Sequence, residues 1–225
     1  RMICELVRAG KKVGVTANSH KAIRNLLDAV IKEADANGVA VRLAHKDGDE
    51  SDRVDARVRS LADNGDALEA LVSGEANVVG GTAWLWSRVE LAAAVDVLFV
   101  DEAGQMALAN VIAVSQAANS VVLLGDPRQL EQPMKGSHPD GVGVSALEHI
   151  LRGEQTMPPD RGIFLPETWR LAPGICEFTS EVFYEGRLTA RSELAAQRIT
   201  GVQGLPQSGL ALVGTDHDGN KNWSQ

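Results

Sequence analysis

The stretch Val97-Leu98-Phe99-Val100-Asp101-Glu102-Ala103-Gly104-Gln105 decides the fold. It begins with the continuous apolar run 97–100, which is typical of a strand buried on both faces of a parallel sheet. Two carboxylates, Asp101 and Glu102, follow the run directly. In open α/β sheets, functional groups collect beyond the carboxyl ends of the strands. The stretch therefore predicts a buried parallel strand that brings two carboxylates to the functional edge of a sheet.

Three further apolar runs predict strands of the same kind, at 12–16, 77–81 and 121–124. Helical patterns lie between the runs, and the clearest of them starts after Ser19 and stops at Gly38. Ser19 is a suitable N-cap and Gly38 a suitable helix end. One apolar stripe runs along this helix, formed by Ile23, Leu26, Leu27, Val30, Ile31 and Ala34. Strands that alternate with helices predict an α/β fold with a parallel sheet.

The domain organisation predicted from the sequence has a first domain over 1–190 and a linker with the start of a second domain over 191–225. A charged segment with helical periodicity, 45–75, is expected to be a helical insertion in the first domain. Further helices are expected at 2–9, at 144–151 and from Pro173 onward. A last strand is expected at 210–213.

Composition limits the function. The chain has 225 residues, is 44% hydrophobic and carries a net charge of −8. Its two cysteines, Cys4 and Cys176, form neither a disulfide framework nor a zinc pattern, which favours a reducing, cytoplasmic location. No apolar run is long enough for a membrane span. The negative charge argues against a broad basic surface for nucleic acid, although it does not fix the charge of a single groove.

Asp101 and Glu102 suit metal-dependent phosphoryl transfer. One carboxylate can hold Mg²⁺, directly or through water, while the other orients or deprotonates a water molecule. The alternative is that an Asp-Glu pair after a strand is a solvated helix start.

A second candidate follows the last of the four strands, in Leu124-Gly125-Asp126-Pro127-Arg128-Gln129-Leu130. The glycine permits a sharp turn, and the Gln129 amide can both donate and accept hydrogen bonds, which suits a sensor of a γ-phosphate or its attacking water. The alternative is an ordinary turn. Two such motifs at the ends of consecutive strands make that alternative weaker.

Arg170, in Leu165-Pro166-Glu167-Thr168-Trp169-Arg170-Leu171, is a candidate arginine finger. A guanidinium can spread charge over the phosphoryl oxygens of a transition state, and such a group contributes about 10³- to 10⁵-fold in rate. The alternative is a surface salt bridge.

Two segments are candidates for nucleic-acid contact. Thr16-Ala17-Asn18-Ser19-His20-Lys21 places small polar residues at a helix N-terminus, a ready site for a backbone phosphate, with an ordinary N-cap as the alternative. Gly80-Gly81-Thr82-Ala83-Trp84-Leu85-Trp86 ends in two tryptophans that could stack on bases. Core packing is the favoured role for at least one of them.

The order of these motifs resembles that of superfamily 1 helicases, in the 1B branch that includes the nonsense-decay RNA helicase and helicase-nucleases. The resemblance covers about 1–188 and depends on ordered co-occurrence. The stretch 138–149 also resembles a bacterial subgroup in which the motor follows a RecB-like nuclease domain. The segments matching family motifs Ia, Ic, II, III and IV are, in that order, 16–21, 81–82, 101–105, 125–130 and 168–170.

The resemblance implies the first RecA-like lobe of an ATP-driven motor on single-stranded DNA or RNA. ATP and Mg²⁺ would be its cofactors. The whole protein could carry a fused RecB-like nuclease domain, and no membrane is expected among its partners. Asp101 would hold Mg²⁺, directly or through water. Catalysis would fall to Glu102, Asp101, Gln129 and Arg170, with Gln105 also at the nucleotide. The nucleic acid would contact Thr16, Asn18, Ser19, His20, Gly81 and Thr82.

The chain also departs from the family. No Gly-x-x-x-x-Gly-Lys-Ser/Thr occurs in it, whereas in the family that loop comes directly before the helix expected at 2–9. Motifs V and VI would lie beyond Gln225. The expectation is therefore a fragment without the phosphate-loop strand, inactive alone, whose sheet has a gap between the strands ending at Val100 and Leu124.

Two other functions remain open. A transporter-type P-loop ATPase would need a Leu-Ser-Gly-Gly-Gln signature, and the sequence contains none. A non-catalytic module of the same fold, binding nucleic acid or nucleotide, is the second alternative. The joint presence of Asp101, Glu102, Gln129 and Arg170 argues against that module.

Overall fold

The structure, a computed structural model, describes residues 1–46, 55–129, 143–201, 204 and 206–214. The chain divides into two compact units, Arg1–Arg152 and Gly153–Gln225. The division thus falls at Arg152, whereas the sequence placed a domain boundary near 190. The expected first domain is therefore spread over both units.

The first unit is a parallel six-stranded sheet flanked by helices, the RecA-like α/β arrangement that was predicted. The strands are β1 Val13–Thr16, β2 Leu43–Lys46, β3 Val58–Leu61, β4 Val78–Gly80, β5 Val95–Val100 and β6 Ala118–Leu123. Their order across the sheet is β3-β2-β4-β1-β5-β6, and every neighbouring pair is parallel. β1 is central and buried at all four of its residues, as the continuous apolar run predicted.

The helices of this unit are α1 Met2–Arg8, α2 His20–Asn37, α3 Asn64–Ser73, α4 Ala83–Trp86, α5 Leu108–Ser115 and α6 Ala146–Leu151, with a 3₁₀ turn at Val89–Leu91. The predicted limits of α2 are confirmed. The Ser19 hydroxyl accepts a hydrogen bond from the Ala22 N–H at 3.2 Å, and Gly38 ends the helix with φ +62°. The apolar stripe of α2 forms much of the core together with Ile3 and Cys4 of α1.

The predicted gap in the sheet is wrong. β5 and β6 pair directly, in register from Val95 opposite Ala118 to Val100 opposite Leu123. The Leu124 N–H also donates to the Val100 carbonyl at 2.9 Å. β5 therefore has a strand on each side, and a further parallel strand could join this sheet only beside β3 or β6.

The helical insertion expected over 45–75 is only partly helical. β2 ends at Lys46, β3 spans Val58–Leu61, and only α3 is a helix; 47–54 lie outside the described residues. Val58 and Leu61 have a spacing that fits one face of a helix. In the structure the exposed Arg59 separates half-buried neighbours, which is the pattern of an edge strand.

The second unit contains a two-stranded parallel sheet, β7 Glu167–Thr168 with β8 Thr189–Ala190. Helix α7, Pro173–Phe183, joins these strands, and a 3₁₀ turn covers Ser192–Ala196. The strand expected at 210–213 is not formed, since Leu210, Leu212 and Val213 are exposed and pair with no strand that the structure describes. No helix among the described residues is long and apolar enough to cross a membrane.

Candidate functional site

The parallel sheet brings the predicted motifs of the first unit to one edge. Because its strands all run the same way, their carboxyl ends meet at the same side of the sheet. Asp101 and Glu102 follow β5, and 124–129 follow β6. The segment 16–20 begins with the last residue of β1, and 81–82 follow β4. These are the four adjacent strands β4, β1, β5 and β6.

The carboxylate pair sits in a turn whose backbone is held by hydrogen bonds. The Asp101 N–H donates to the Thr16 carbonyl at 2.8 Å, which continues the β1–β5 ladder past the strand. The Asp101 carboxylate accepts from the Glu102 N–H at 3.0 Å. Glu102 has φ +55°, a left-handed conformation that is uncommon for residues other than glycine. Both side chains are half-buried.

The left-handed residue turns the backbone between the two carboxylates. Such conformations cost free energy and persist where the surrounding structure imposes them, often at functional sites. Hydrogen bonds hold the backbone on both sides of this residue. Asp101 is bonded to Thr16, and the Gln105 N–H donates to the Glu102 carbonyl at 2.8 Å. One half-buried carboxylate fits a Mg²⁺ ion, because that ion keeps several waters and takes only one or two protein carboxylates besides phosphate oxygens.

The turn after β6 is in direct backbone contact with the turn after β5. The Ala103 N–H donates to the Leu124 carbonyl at 2.8 Å. A Cβ on Gly104 would lie 2.2 Å from the Asp126 carbonyl oxygen, and one on Gly125, which has φ +150°, would lie 2.9 Å from the Ala103 nitrogen. Only glycine allows this approach. The two turns therefore fix each other's position without any side chain between them.

Gln129 ends a compact turn after β6. The Asp126 carboxylate accepts from the Arg128 N–H at 2.9 Å, and the Gln129 N–H lies 3.4 Å from the Asp126 carbonyl. The Gln129 side chain is exposed. Leu130, the last residue of the predicted motif, and residues 138–142 of the stretch 138–149 lie outside the described residues. The structure thus places Gln129 at the same edge as Asp101 and Glu102.

Two of the four polar residues after β1 have structural partners. Ser19 caps α2, as the ordinary alternative predicted. His20 Nδ1 lies 3.3 Å from Nε2 of His45, a buried residue of β2. Thr16 is fully buried, and its Oγ1 has no hydrogen-bond partner in the described part of the chain; the same holds for Nδ2 of Asn18. Thr16 and Asn18 therefore carry unused hydrogen-bonding capacity at this edge.

The segment after β4 is anchored to β1. The Gly81 N–H donates to the Val15 carbonyl at 3.0 Å, and the Leu85 N–H to the Thr82 carbonyl at 2.9 Å. Trp86 is fully buried, and its Nε1–H lies 3.1 Å from the carbonyl oxygens of both Val15 and Gly81. The favoured core role is confirmed for Trp86. Trp84, two residues earlier, is 86% exposed.

Arg170 belongs to the second unit, whereas Asp101, Glu102 and Gln129 belong to the first. It is exposed, and its backbone N–H donates to Thr168 Oγ1 at 3.2 Å. Within the described ranges its guanidinium forms no ion pair, so the salt-bridge alternative gains no support. The preceding Trp169 lies under the guanidinium of Arg191, which is 3.6 Å from the ring centroid.

Sequence reasoning missed two features of this edge. His45 was placed in a helical segment because β2, Leu43–Lys46, is short and ends in polar residues. Gly104 was quoted only as part of a motif, and Gly125 was predicted to permit a sharp turn but not to contact Gly104. Their mutual contact depends on β5 pairing with β6, which the predicted gap excluded.

Comparisons with known proteins agree with this arrangement over part of the chain. Residues 45–134, which include β3 to β6 and the end of β2, match the model of an AAA domain family. The chain is also 31% identical over 105 residues to a protein of Arabidopsis thaliana named "Probable helicase MAGATAMA 3". That match covers 45% of this chain and 12% of the Arabidopsis protein. Over less than half of its length, the chain is thus similar to an AAA domain and to a probable helicase.

Proposed function

We propose that this chain is part of the first motor lobe of an ATP-dependent helicase or translocase of superfamily 1, in its 1B branch. The intact protein would couple Mg-ATP hydrolysis to movement along single-stranded DNA or RNA. One observation carries the proposal: the Asp101–Glu102 pair at the end of β5 is fixed, backbone to backbone, to the turn that bears Gln129. The similarity to a probable helicase supports it.

Each residue of the pair has a separate role. Asp101, partly buried and hydrogen-bonded to the next amide, would hold a Mg²⁺ ion, directly or through water. Glu102 accepts the proton of the attacking water. Bound Mg²⁺ would supply charge neutralisation on the phosphate oxygens. Gln129 and Gln105 would contact the nucleotide, and Arg170 would stabilise transition-state charge.

The phosphate-binding loop has to come from outside the printed sequence, which contains no Gly-x-x-x-x-Gly-Lys-Ser/Thr. We place its strand beside β6. β6 has a partner on one side only among the described strands, although Val121, Val122 and Leu123 are apolar. A strand there would cover half-exposed side chains and put a phosphate loop next to the two turns.

Nucleic acid would pass over the ends of β1 and β4. Thr16 and Asn18 each have a buried polar atom without a hydrogen-bond partner among the described residues, and Gly81 is the buried residue that follows β4. Ser19, His20 and Thr82 complete the proposed contact residues at the N-termini of α2 and α4. A fused RecB-like nuclease domain in the whole protein is a further part of the proposal, supported only by the resemblance of 138–149.

A steady-state ATPase assay with Mg²⁺ and single-stranded DNA or RNA tests the proposal. The assay compares the 225-residue chain with a version extended by the coding sequence on both sides. We expect turnover stimulated by nucleic acid from the extended version and none from the chain alone, since phosphoryl transfer depends on positioning. An extended version without turnover would refute the helicase proposal. Robust turnover by the chain alone would refute the need for an added phosphate loop.

A non-catalytic binding module of the same fold is the second candidate. This candidate predicts that the extended version binds nucleotide or nucleic acid without hydrolysis. A third class, another P-loop ATPase, predicts turnover that nucleic acid does not stimulate. The same assay separates all three outcomes.

A further inference from the structure

Segment 106–108, which follows Gln105 directly, is paired with the distant segment 144–146. The pairing is an antiparallel bridge centred on Ala107 and Ser145. Two main-chain hydrogen bonds flank it, from the Leu108 N–H to the Val144 carbonyl at 2.9 Å and from the Ala146 N–H to the Met106 carbonyl at 3.1 Å. We call this pairing the α5–α6 bridge, because the two donors are the first residues of those helices.

The turn that bears Gln105 is tied to the large sheet at its start. There the N–H groups of Asp101 and Ala103 donate to main-chain carbonyls at the ends of β1 and β6. The Gln105 N–H donates to the Glu102 carbonyl at 2.8 Å, but this bond lies within the turn and does not fix the turn against the sheet. Among the described residues, the α5–α6 bridge is therefore the hydrogen-bonded anchor at the downstream end of the turn.

The α6 side of the bridge is itself firmly held. Ser145 is buried, and its Oγ accepts a hydrogen bond from the Glu148 N–H at 3.1 Å, which caps α6. Ala146, Leu147 and Leu151 of the same helix are buried as well. A capped helix with a buried face gives a defined support, and such supports hold the residues of a functional site in place.

Gln105 is the residue that this support serves. It is half-buried, and its side-chain amide forms no hydrogen bond with any residue that the structure describes. An amide donates at one atom and accepts at another, so its orientation decides what it can bind. Displacing a group by 1 Å in a site for phosphoryl transfer can cost about 100-fold in rate. The acceptor of one bridge bond, Met106, is adjacent to Gln105, so loss of that bond frees the downstream end of its turn.

A purely structural role is the alternative. The first N–H groups of a helix have no partner within the helix, and each bridge bond supplies one, to Leu108 in α5 and to Ala146 in α6. α5 has no side-chain cap of its own. This alternative predicts that breaking the bridge lowers stability. It predicts no effect that depends on the Gln105 side chain, which is where the two roles separate.

We propose that Leu108 and Ala146 are positioning residues for Gln105. Through their main-chain N–H groups they hold the downstream end of the carboxylate turn, so that the Gln105 amide faces the nucleotide in a fixed position. This inference rests on the proposed function, in which Gln105 contacts the nucleotide. It adds α6 to the elements on which the nucleotide site depends.

Proline can break either bond while sparing the helix that donates it. Leu108→Pro and Ala146→Pro both change the first residue of a helix, where the fixed φ of proline is tolerated. The preceding residues, Ala107 and Ser145, have ψ of 142° and 152°, as a residue before proline requires. Asn64→Pro is the matched control. Asn64 is the first residue of α3, follows an extended residue, and its N–H has no partner among the described residues.

The first measurement is hydrogen exchange of the Gln105 amide, followed by NMR in the 225-residue chain. Ala146→Pro and Leu108→Pro should each speed this exchange about 3- to 10-fold. Leu108→Ala, which keeps the N–H, and Asn64→Pro should leave it at the wild-type rate. Wild-type exchange in both bridge variants would overturn the positioning role. Thermal melts show which variants are folded, and an ester in place of the Ala146 amide decides the matter if neither proline is tolerated.

The second measurement is ATP turnover by the version extended on both sides, in a double-mutant cycle of Ala146→Pro with Gln105→Ala. If the bridge acts through Gln105, each change alone lowers kcat about 10- to 100-fold, and the double variant is no slower than the slower single variant. Multiplication of the two effects would overturn the positioning role, because a structural defect is independent of the Gln105 side chain. Asn64→Pro should leave kcat unchanged with or without Gln105→Ala.

Failure of this inference differs from failure of the function on which it rests. If the extended wild type hydrolyses ATP but the effects of Ala146→Pro and Gln105→Ala multiply, the proposed function stands and the positioning role is wrong. If the extended wild type hydrolyses no ATP, the proposed function fails, and a role for the bridge at a nucleotide fails with it.

Discussion

At the scale of single residues, Glu102 is the most informative position. Its backbone is left-handed, with φ +55°, although the residue is not a glycine. The Asp101 carboxylate helps to hold this conformation by accepting a hydrogen bond from the Glu102 N–H. The proposed function assigns different tasks to the two carboxylates, one at a metal ion and one at a water molecule.

Replacing Glu102 by glutamine tests that division in a version of the protein that includes the phosphate loop. Glu102→Gln keeps the shape of the side chain but cannot accept a proton, so ATP turnover should fall about 10²- to 10⁴-fold while nucleotide binding stays close to the wild type. Asp101→Asn should instead weaken the Mg²⁺ dependence of binding and turnover. Glu69→Gln, an exposed change on α3, is the control. Wild-type turnover by Glu102→Gln would disprove the assignment.

Cys176 provides a second test at this scale. It is buried, and burial raises the pKa of its thiol. Only the thiolate reacts, so at pH 8 a native Cys4→Ser variant should be labelled much more slowly by a thiol reagent than the same variant in urea. The rate of labelling is followed by absorbance. Equally fast labelling of the native and the urea-unfolded variant would show that the packing around α7 is looser than described.

At the scale of elements, the turns after β5 and β6 act as one piece. Gly104 lies so close to the Asp126 carbonyl that there is no space for a Cβ, and a Cβ on Gly125 would likewise be too close to the backbone of Ala103 and Gly104. The hydrogen bond from Ala103 to Leu124 joins them further. Side-chain movement cannot relieve a clash at these positions, because the neighbouring atoms belong to the main chain.

Gly104→Ala should therefore destabilise the protein by about 1–3 kcal/mol, the usual cost of inserting a methyl group where there is no space. Gly65→Ala is the matched control. Gly65 lies in the first turn of α3, where an added Cβ would meet nothing within 4 Å, and that change should stabilise by about 0.5–1 kcal/mol. Urea denaturation of both variants gives the comparison. Equal stability of the two would contradict the backbone contact.

The elements that sequence reasoning predicted are those with strong local signals. β1, β4, β5 and β6 have continuous apolar runs, and α2 has a stripe, an N-cap and a terminal glycine. β2 and β3 lack such signals because each has four residues, some of them charged, near the edge of the sheet. The run at 210–213 has the composition of a strand, but it finds no partner strand among the described residues.

The candidate site was predicted as far as residue types allow. Asp101, Glu102 and Gln129 were chosen because each follows a strand, and parallel strands share an edge. The order of the strands was predicted wrongly, because strand pairing depends on contacts between distant segments. Without that order, the contact between the two glycine turns could not be anticipated. The roles of Asp101, Glu102, Gln129 and Arg170 all remain predictions.

At the scale of the whole first unit, the two edges of the sheet differ. β3 carries Arg59, which forms an ion pair with Glu75, and charges of this kind protect an edge from pairing with other chains. β6 has apolar residues and no charged residue between Ala118 and Leu123. The β6 edge is thus the one suited to accept another strand.

Hydrogen exchange measures this difference. In the 225-residue chain, the amides of β6 that face away from β5 should exchange faster than those of β1, which has a hydrogen-bonded strand on each side. In a version extended upstream, the same β6 amides should become protected. Mass spectrometry of peptides covering 118–124 and 13–16 reports both. Unchanged exchange of β6 on extension would show that the added strand joins elsewhere.

The contact between Gly104 and the Asp126 carbonyl also has a consequence for how this protein can vary. A substitution at 104 is tolerated only if the segment 125–127 has already moved, and a longer or bulkier turn after β6 requires space that only a change near 104 can give. In a library that randomises both turns, accepted sequences should show strong epistasis between these positions. Changes at the two turns would then be recovered in pairs, and drift of either turn alone would be rare.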